Sequence, residues 1–196
     1  MAKILEKGNG FAVMYKEAGE DSEKTAPSGM GVLYRLDVPI AGLIAAAAPG
    51  SGFEVVSKKY FLICTGKLEN DSGTMEDFLY HDPRSNRTFP VKKLRKGVKE
   101  AKLSYEVICY DEKEDLSFVS AVLETGRTHQ IRAQFASRRH PLAGDGKYGS
   151  RIKCPIALTC GELTYKAGKD GGEKTVVKMP DKVWPWDLFD AFELPH

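Results

Sequence analysis

No run of this chain is apolar for long enough to span a membrane as a helix. The longest, residues 41–49, falls far short of the about 20 residues a bilayer demands. Nor does Met1 lead into the apolar stretch and small-residue cleavage site of a secretory leader; a Lys-containing, strand-like segment follows it directly. Cysteine is scarce. Cys64, Cys109, Cys154 and Cys160 form no Cys-x-x-Cys pair, and no histidine stands beside them at a ligand spacing, which argues against structural zinc. Cys64 and Cys109 lie in apolar, strand-like runs and read as reduced core residues. The expectation from these absences is a cytoplasmic protein without a membrane segment.

What is present suits a globular domain. A chain of 196 residues with 42% hydrophobic side chains can hide roughly 70% of its unfolded surface. The formal net charge of +2 conceals a segregation. Between Arg84 and Lys153 there are 16 Lys/Arg against 8 Asp/Glu, whereas the remainder holds 13 basic and 19 acidic side chains. A polyanionic partner gripped by one part of the surface fits this pattern, and so does a well-solvated basic face.

Strand signals dominate. Residues 4–15 read as two short strands broken at Gly8-Asn9-Gly10, and residues 17–31 as a polar loop. Residues 32–48 run apolar around Tyr34-Arg35-Leu36-Asp37. A β-rich run over residues 60–64 ends at Thr65-Gly66, and Ser72-Gly73 predicts a turn. Residues 81–97 hold Pro83, Pro90 and Gly97 with no periodicity, as in a basic loop or hairpin tip. Residues 101–110 alternate, with Leu103, Tyr105, Val107 and Cys109 on one face and Ile108 the one imperfect position. The acidic stretch 111–115 would turn this strand into another over residues 116–124. Residues 129–138 predict a short amphipathic helix, N-capped by Thr128, with Ile131 and Phe135 in its apolar stripe. Few helices and no regular β–α alternation imply an α+β fold: a mixed, largely antiparallel β-sheet with flanking helices.

Two segments call for a chemical explanation. Asp37 stands among Leu33, Leu36, Val38, Pro39 and Ile40, where an ionised carboxylate needs a cationic partner or is driven toward its neutral form. An Asp that merely caps a turn would give the same pattern. The second segment, Thr125-Gly126-Arg127-Thr128-His129-Gln130-Ile131-Arg132, gathers two arginines, a histidine and an amide at a strand-to-helix junction, where free backbone N–H groups attract anions. A solvated helix end is the bland reading.

With Glu124 in front, and His140-Pro141-Leu142-Ala143-Gly144-Asp145-Gly146-Lys147-Tyr148-Gly149 behind, this second segment resembles the hallmark of the RluA-type RNA pseudouridine synthases. The family's Arg-Leu-Asp motif is matched by Arg35-Leu36-Asp37 with Gly42-Leu43 after it. Its Lys-x-Tyr strand is matched by Lys58-Lys59-Tyr60 and Gly66, and its opening Lys-Pro-Ala-Gly turn by Lys16, Ala18 and Gly19. The resemblance covers nearly the whole chain. It implies a single catalytic domain over residues 1–196, without the RNA-binding domain that many relatives carry at the N-terminus. Departures occur at Glu17 (family Pro), Tyr34 (His), Val38-Pro39-Ile40-Ala41 (Arg-x-Thr-Ser), Arg139 (Gly) and Thr159 (His).

The resemblance also implies roles. Asp37 would be the catalytic carboxylate, attacking C1′ of a uridine or removing a proton from C2′. Arg132 would pair with Asp37, and Tyr60 would stack on the uracil and relay the C5 proton. Arg35, Arg127, His129 and Leu158 would contact the flipped-out nucleotide, and Lys92, Lys93 and Lys96 the flanking phosphates. The substrate would be ribosomal or transfer RNA, handled by a monomer needing no metal or organic cofactor. Two rivals stand beside this: a catalytically silent RNA-binding or RNA-folding protein on the same scaffold, and a glycosidic hydrolase. The latter would want a second catalytic carboxylate, for which Asp145, in a Gly-rich turn, is poorly placed.

Overall fold

The computed structural model describes residues 2–168 and 171–189, which gather into two compact units. The first comprises the chain up to Tyr60 together with Thr159–Pro180; the second comprises Phe61–Leu158 and the chain from Asp181 onward.

In the first unit, β1 (Lys3–Gly8) and β2 (Phe11–Lys16) form an antiparallel hairpin through the Gly8-Asn9-Gly10 signal, with Gly10 at φ +75°. Strand β4 (Ala41–Ala47) pairs antiparallel with β2 and with the two-residue β3 (Gly31–Val32). Strand β10 (Leu158–Ala167) runs parallel to β4, Thr159 opposite Ala41 and Cys160 opposite Gly42, and pairs antiparallel with β11 (Lys174–Val177). With β5 (Phe53–Thr65) the order is β1-β2-β4-β10-β5. The sequence of β4, Ala-Gly-Leu-Ile-Ala-Ala-Ala, has weak strand propensity, yet Leu43, Ile44, Ala45 and Ala46 are wholly buried. Burial on both faces selects a continuous apolar run rather than an alternating one. Gly42, at φ +149°, lets the parallel neighbours approach: a Cβ there would lie 2.6 Å from the Cys160 backbone nitrogen.

The second unit orders the end of β5, β9 (Leu116–Leu123), β8 (Val98–Asp111), β6 (Ser72–Asp82) and β7 (Arg87–Val91); β9, β8, β6 and β7 pair antiparallel in turn. The α+β expectation holds, since the strands form a mixed, mostly antiparallel arrangement with few helices. Among the described residues there is one α-helix, α1 (Gln130–Ser137), beside three one-turn 3-10 helices. Ile108, the imperfect position of the alternation, falls at a register shift between Val107 and Cys109, where an extra residue changes which face the chain presents.

Three local expectations are corrected. Ser72-Gly73 opens β6 rather than marking a turn, because both residues sit in the ladder opposite Glu106 and Tyr105. Residues 81–97 are not all loop: Arg87–Val91 forms β7 at the sheet edge, where Pro90 is tolerated. Thr128 does not cap α1. His129 occupies the cap position at φ 54°, and the Gln130 side chain turns back to accept from the Arg127 backbone N–H at 3.0 Å. Nor does the helix have a wet face to match its stripe, since Gln130, Ile131, Arg132, Ala133, Gln134 and Phe135 are all buried.

Candidate active site

In the first unit, Asp37 lies in the loop between β3 and β4, half-buried, and its backbone is anchored on both sides. Ahead of it, Leu36 and Ser22 exchange two hydrogen bonds: the Leu36 N–H donates to Ser22 Oγ at 3.0 Å, and that hydroxyl donates to the Leu36 carbonyl at 3.1 Å. Behind it, the Ile40 N–H closes a turn onto the Asp37 carbonyl at 2.9 Å. The Val38 carbonyl accepts from the Gly19 N–H at 2.7 Å and from Lys16 Nζ at 3.2 Å. Lys16 is fully buried and also donates to the carbonyls of Glu17 and Glu20, each at 2.9 Å. Burial pulls its ammonium below the usual lysine range, while the charges of Glu20 and then Asp37 pull it back up. The loop is thus pre-shaped by groups that never leave the protein. A carboxylate meant to meet a reacting atom needs that rigidity.

Tyr60, on β5, is buried, and its hydroxyl is pushed well above the usual tyrosine range, first by burial and then by the nearby Cys160 and Asp37 side chains. It remains a neutral phenol, able to donate a hydrogen bond or relay a proton. Tyr60 and Tyr34 both lie near the Cys160 thiol, and burial pushes that thiol up to about 12. Cys160 is therefore a protonated, weakly nucleophilic thiol at neutral pH. Tyr34 also donates to the Leu43 carbonyl at 2.9 Å, and Lys58 Nζ sits 4.2 Å from its ring centroid. Arg35 stands outside this cluster, in an exposed ion pair with Glu23 at 3.0 Å.

In the second unit, Arg132 forms a bidentate pair with Asp145: Nε to Oδ2 at 2.6 Å and Nη2 to Oδ1 at 2.9 Å, with side chains 4% and 0% exposed. Asp145, set aside in the sequence as a turn residue, is thus a buried counter-charge. Its signal was the run Leu142-Ala143 before it, apolar enough to bury any carboxylate that follows. Arg132 also lies 5.0 Å from the Tyr148 ring centroid. The His129 ring is buried, its Nδ1 3.0 Å from the Tyr148 hydroxyl. Arg127 Nε donates to the Glu100 carbonyl at 2.8 Å. Leu158 is buried at the start of β10, and Lys92, Lys93 and Lys96 are exposed on the turn after β7.

So the first unit brings Asp37 and Tyr60 within electrostatic reach, and the second gathers His129, Arg132, Asp145 and Tyr148. Tyr148 and Asp145 were missed as partners because their contacts join residues 13 to 60 positions apart in the chain. Among the described residues no group of three or more His, Cys, Asp or Glu is arranged to hold a metal, and no helix is long and apolar enough to cross a membrane.

A family model described as RNA pseudouridylate synthase matches residues 11–137. The chain belongs to this family. It is 34% identical over 131 residues to an uncharacterised RNA pseudouridine synthase of Bacillus subtilis, covering 62% of this chain and 42% of that protein. It is 26% identical over 175 residues to a ribosomal large subunit pseudouridine synthase D of Borreliella burgdorferi, covering 83% of this chain and 52% of that one. Relatives with the latter name set it among the RluA-type members. The chain spans about half the length, or less, of these curated relatives. The fold is that of the human RNA pseudouridylate synthase domain containing 1, with a TM-score of 0.76 over 96% of this chain and 87% of that one, at 16% identity.

Several departures from the family pattern acquire physical explanations. Arg139 sits at φ 67°, the left-handed region where glycine is the comfortable residue. Val38 contributes only its carbonyl to the Lys16 anchor and leaves its side chain exposed, so that position is free to vary. Thr159 is buried, and its hydroxyl has no hydrogen-bond partner among the described residues.

Proposed function

We propose that this family member isomerises specific uridines of structured RNA, ribosomal or transfer, to pseudouridine, with Asp37 as the catalytic carboxylate. The observation that carries the reading is the Asp37 loop itself. The backbone on either side of a half-buried carboxylate is held by the side chains of Ser22 and Lys16 and by the Gly19 N–H, and the carboxylate lies close enough to Tyr60 to raise its hydroxyl. The Asp37 carboxylate either attacks C1′ of a flipped-out uridine or takes the C2′ proton, and the N1–C1′ bond breaks. The freed uracil turns and rejoins C1′ through C5, expelling the carboxylate from C1′ on the first route or recovering the proton at C2′ on the second. The C5 proton then leaves by way of the neutral Tyr60 hydroxyl, whose ring supplies a face for the base.

Arg132, held by Asp145, belongs to the same assignment through the match of residues 124–132 to the family hallmark. Arg35, Arg127, His129 and Leu158 belong to the same proposal as contacts to the flipped nucleotide. Residues 1–196 then act as one catalytic domain, working as a monomer in the cytoplasm.

Asp37→Asn keeps shape and removes charge. It is expected to lower pseudouridine formation in cellular RNA by at least about 10²-fold, with the melting temperature and RNA affinity near those of the wild type. Wild-type protein that binds RNA but forms no pseudouridine would instead mark a silent RNA-binding scaffold.

A further inference from the structure

Away from the Asp37 loop, the second unit contains a cavity of about 400 Å3 between edge strand β7 and helix α1. We infer that this cavity is a subsite for one unpaired nucleotide of the substrate RNA, its base stacked against Phe89 and its phosphate met by Arg87. The inference rests on the proposed RNA-modifying activity and names a part of its substrate surface.

The shape argues for a planar guest. Ala133 and Ala136, one turn apart on α1, line one side without bulk, and Phe89, Pro90 and Tyr148 supply flat apolar walls. These walls are held in place before any ligand arrives. The Tyr148 hydroxyl accepts from the Thr88 N–H at 2.8 Å and lies 3.0 Å from His129 Nδ1. Phe89 leans edge-on against Tyr80 with centroids 5.6 Å apart, and Arg95 lies 5.8 Å from the Tyr80 centroid. Phe89 is nevertheless 40% exposed, which leaves part of an aromatic side chain open to water. An open aromatic face costs solvation unless something covers it, and every nucleobase offers a face of that kind.

The charge selects the same guest. Arg87 is exposed at the rim, 5.3 Å from the Tyr148 centroid, and among the described residues no carboxylate pairs with it. From Arg84 to Lys102 the chain carries eight Lys/Arg against Glu100 alone. Two aromatic rings, Tyr80 and Phe89, flanked by the cations Arg95 and Arg87 make the arrangement that holds single-stranded nucleic acid: bases stack while the backbone is neutralised. A protein strand adding to this edge is disfavoured, because β7 is short and contains Pro90, which has no N–H to donate.

The test uses the full chain and a labelled oligouridylate, with a matched oligomer of abasic residues as the second probe. Wild type is expected to bind the oligouridylate more tightly than the abasic strand. Phe89→Ala should raise the oligouridylate Kd about tenfold or more while leaving abasic binding unchanged, and Phe89→Trp should restore the preference. Ala136→Leu, which fills the cavity from the helix side, should act like Phe89→Ala and guards against a folding artefact, checked by thermal melting. Arg87→Gln should flatten the salt dependence of binding by about 0.7 of a log–log unit. Equal binding of both probes by wild type, or unchanged preference in both Phe89→Ala and Ala136→Leu, would overturn the subsite. Pseudouridine formed in cellular RNA, scored alongside, separates the two readings. Activity without the preference removes the subsite alone; preference without activity removes the isomerase and keeps the subsite.

Discussion

Arg35 and Arg132 carry the same charge and stand in the two motifs on which the functional reading rests, yet their surroundings are opposite. Arg35 meets Glu23 at 3.0 Å with both side chains largely in water, 70% and 62% exposed. Arg132 meets Asp145 at 2.6 Å with both excluded from it. The first pair gains little, because water and salt screen it. In the second, removing either charge breaks a pair that water cannot replace. Lysine divides the same way: Lys16 is buried among backbone carbonyls, whereas Lys92, Lys93, Lys96 and Lys99 are exposed. Burial, more than residue type, separates charges that build the site from charges left to meet a ligand.

The sharpest way to break this contrast is to remove one partner of each pair. Asp145→Ala takes from Arg132 its buried bidentate carboxylate, and should cost about 3–5 kcal/mol of stability in urea unfolding. Glu23→Ala should hardly move the transition. Equal effects would mean that water reaches Arg132.

The lysine contrast is tested by replacing Lys92, Lys93, Lys96 and Lys99 with Gln. RNA binding should weaken, and its log–log salt slope should fall by about 0.7–0.9 for each phosphate no longer neutralised, with turnover at saturating RNA little changed. An unchanged slope would show these lysines to be only a solvated surface.

Within the first unit, Tyr60→Leu should lose about 1–3 kcal/mol of RNA binding if the ring stacks on a base, while Tyr60→Phe keeps the binding. Equal behaviour of the two variants would make Tyr60 a packing residue of β5. The smallest effect is expected at Arg139, whose left-handed backbone suits glycine. Arg139→Gly should stabilise the protein by about 0.5 kcal/mol, the relief of backbone strain being partly cancelled by a more flexible unfolded chain. A lower melting temperature would mean that the Arg139 side chain makes an interaction worth more than the strain.

Much of the fold was legible because its strands follow local rules. The β1–β2 hairpin came from Gly8-Asn9-Gly10, and the β8–β9 pair from alternation around an acidic turn. β7 was less legible, since Pro90 and six Lys/Arg within residues 81–97 mask its edge-strand character. The start of α1 was misread because Thr128 has the right chemistry for a cap, but the chain turns through His129 in the left-handed region instead.

The sequence by itself determined the strand-rich class, the uneven distribution of charge, and the motifs around Asp37, Tyr60 and Arg132 that mark the family. Those properties depend on near neighbours, whose spacing along the chain is visible. Only the tertiary structure decided that Asp145 holds Arg132, that Lys16 and Ser22 shape the Asp37 loop, and that the Tyr34 hydroxyl reaches the Leu43 carbonyl. Each of these interactions joins residues that the chain keeps well apart. Each also depends on burial, which raises the cost of leaving a polar group unpaired and so selects partners that no local pattern specifies.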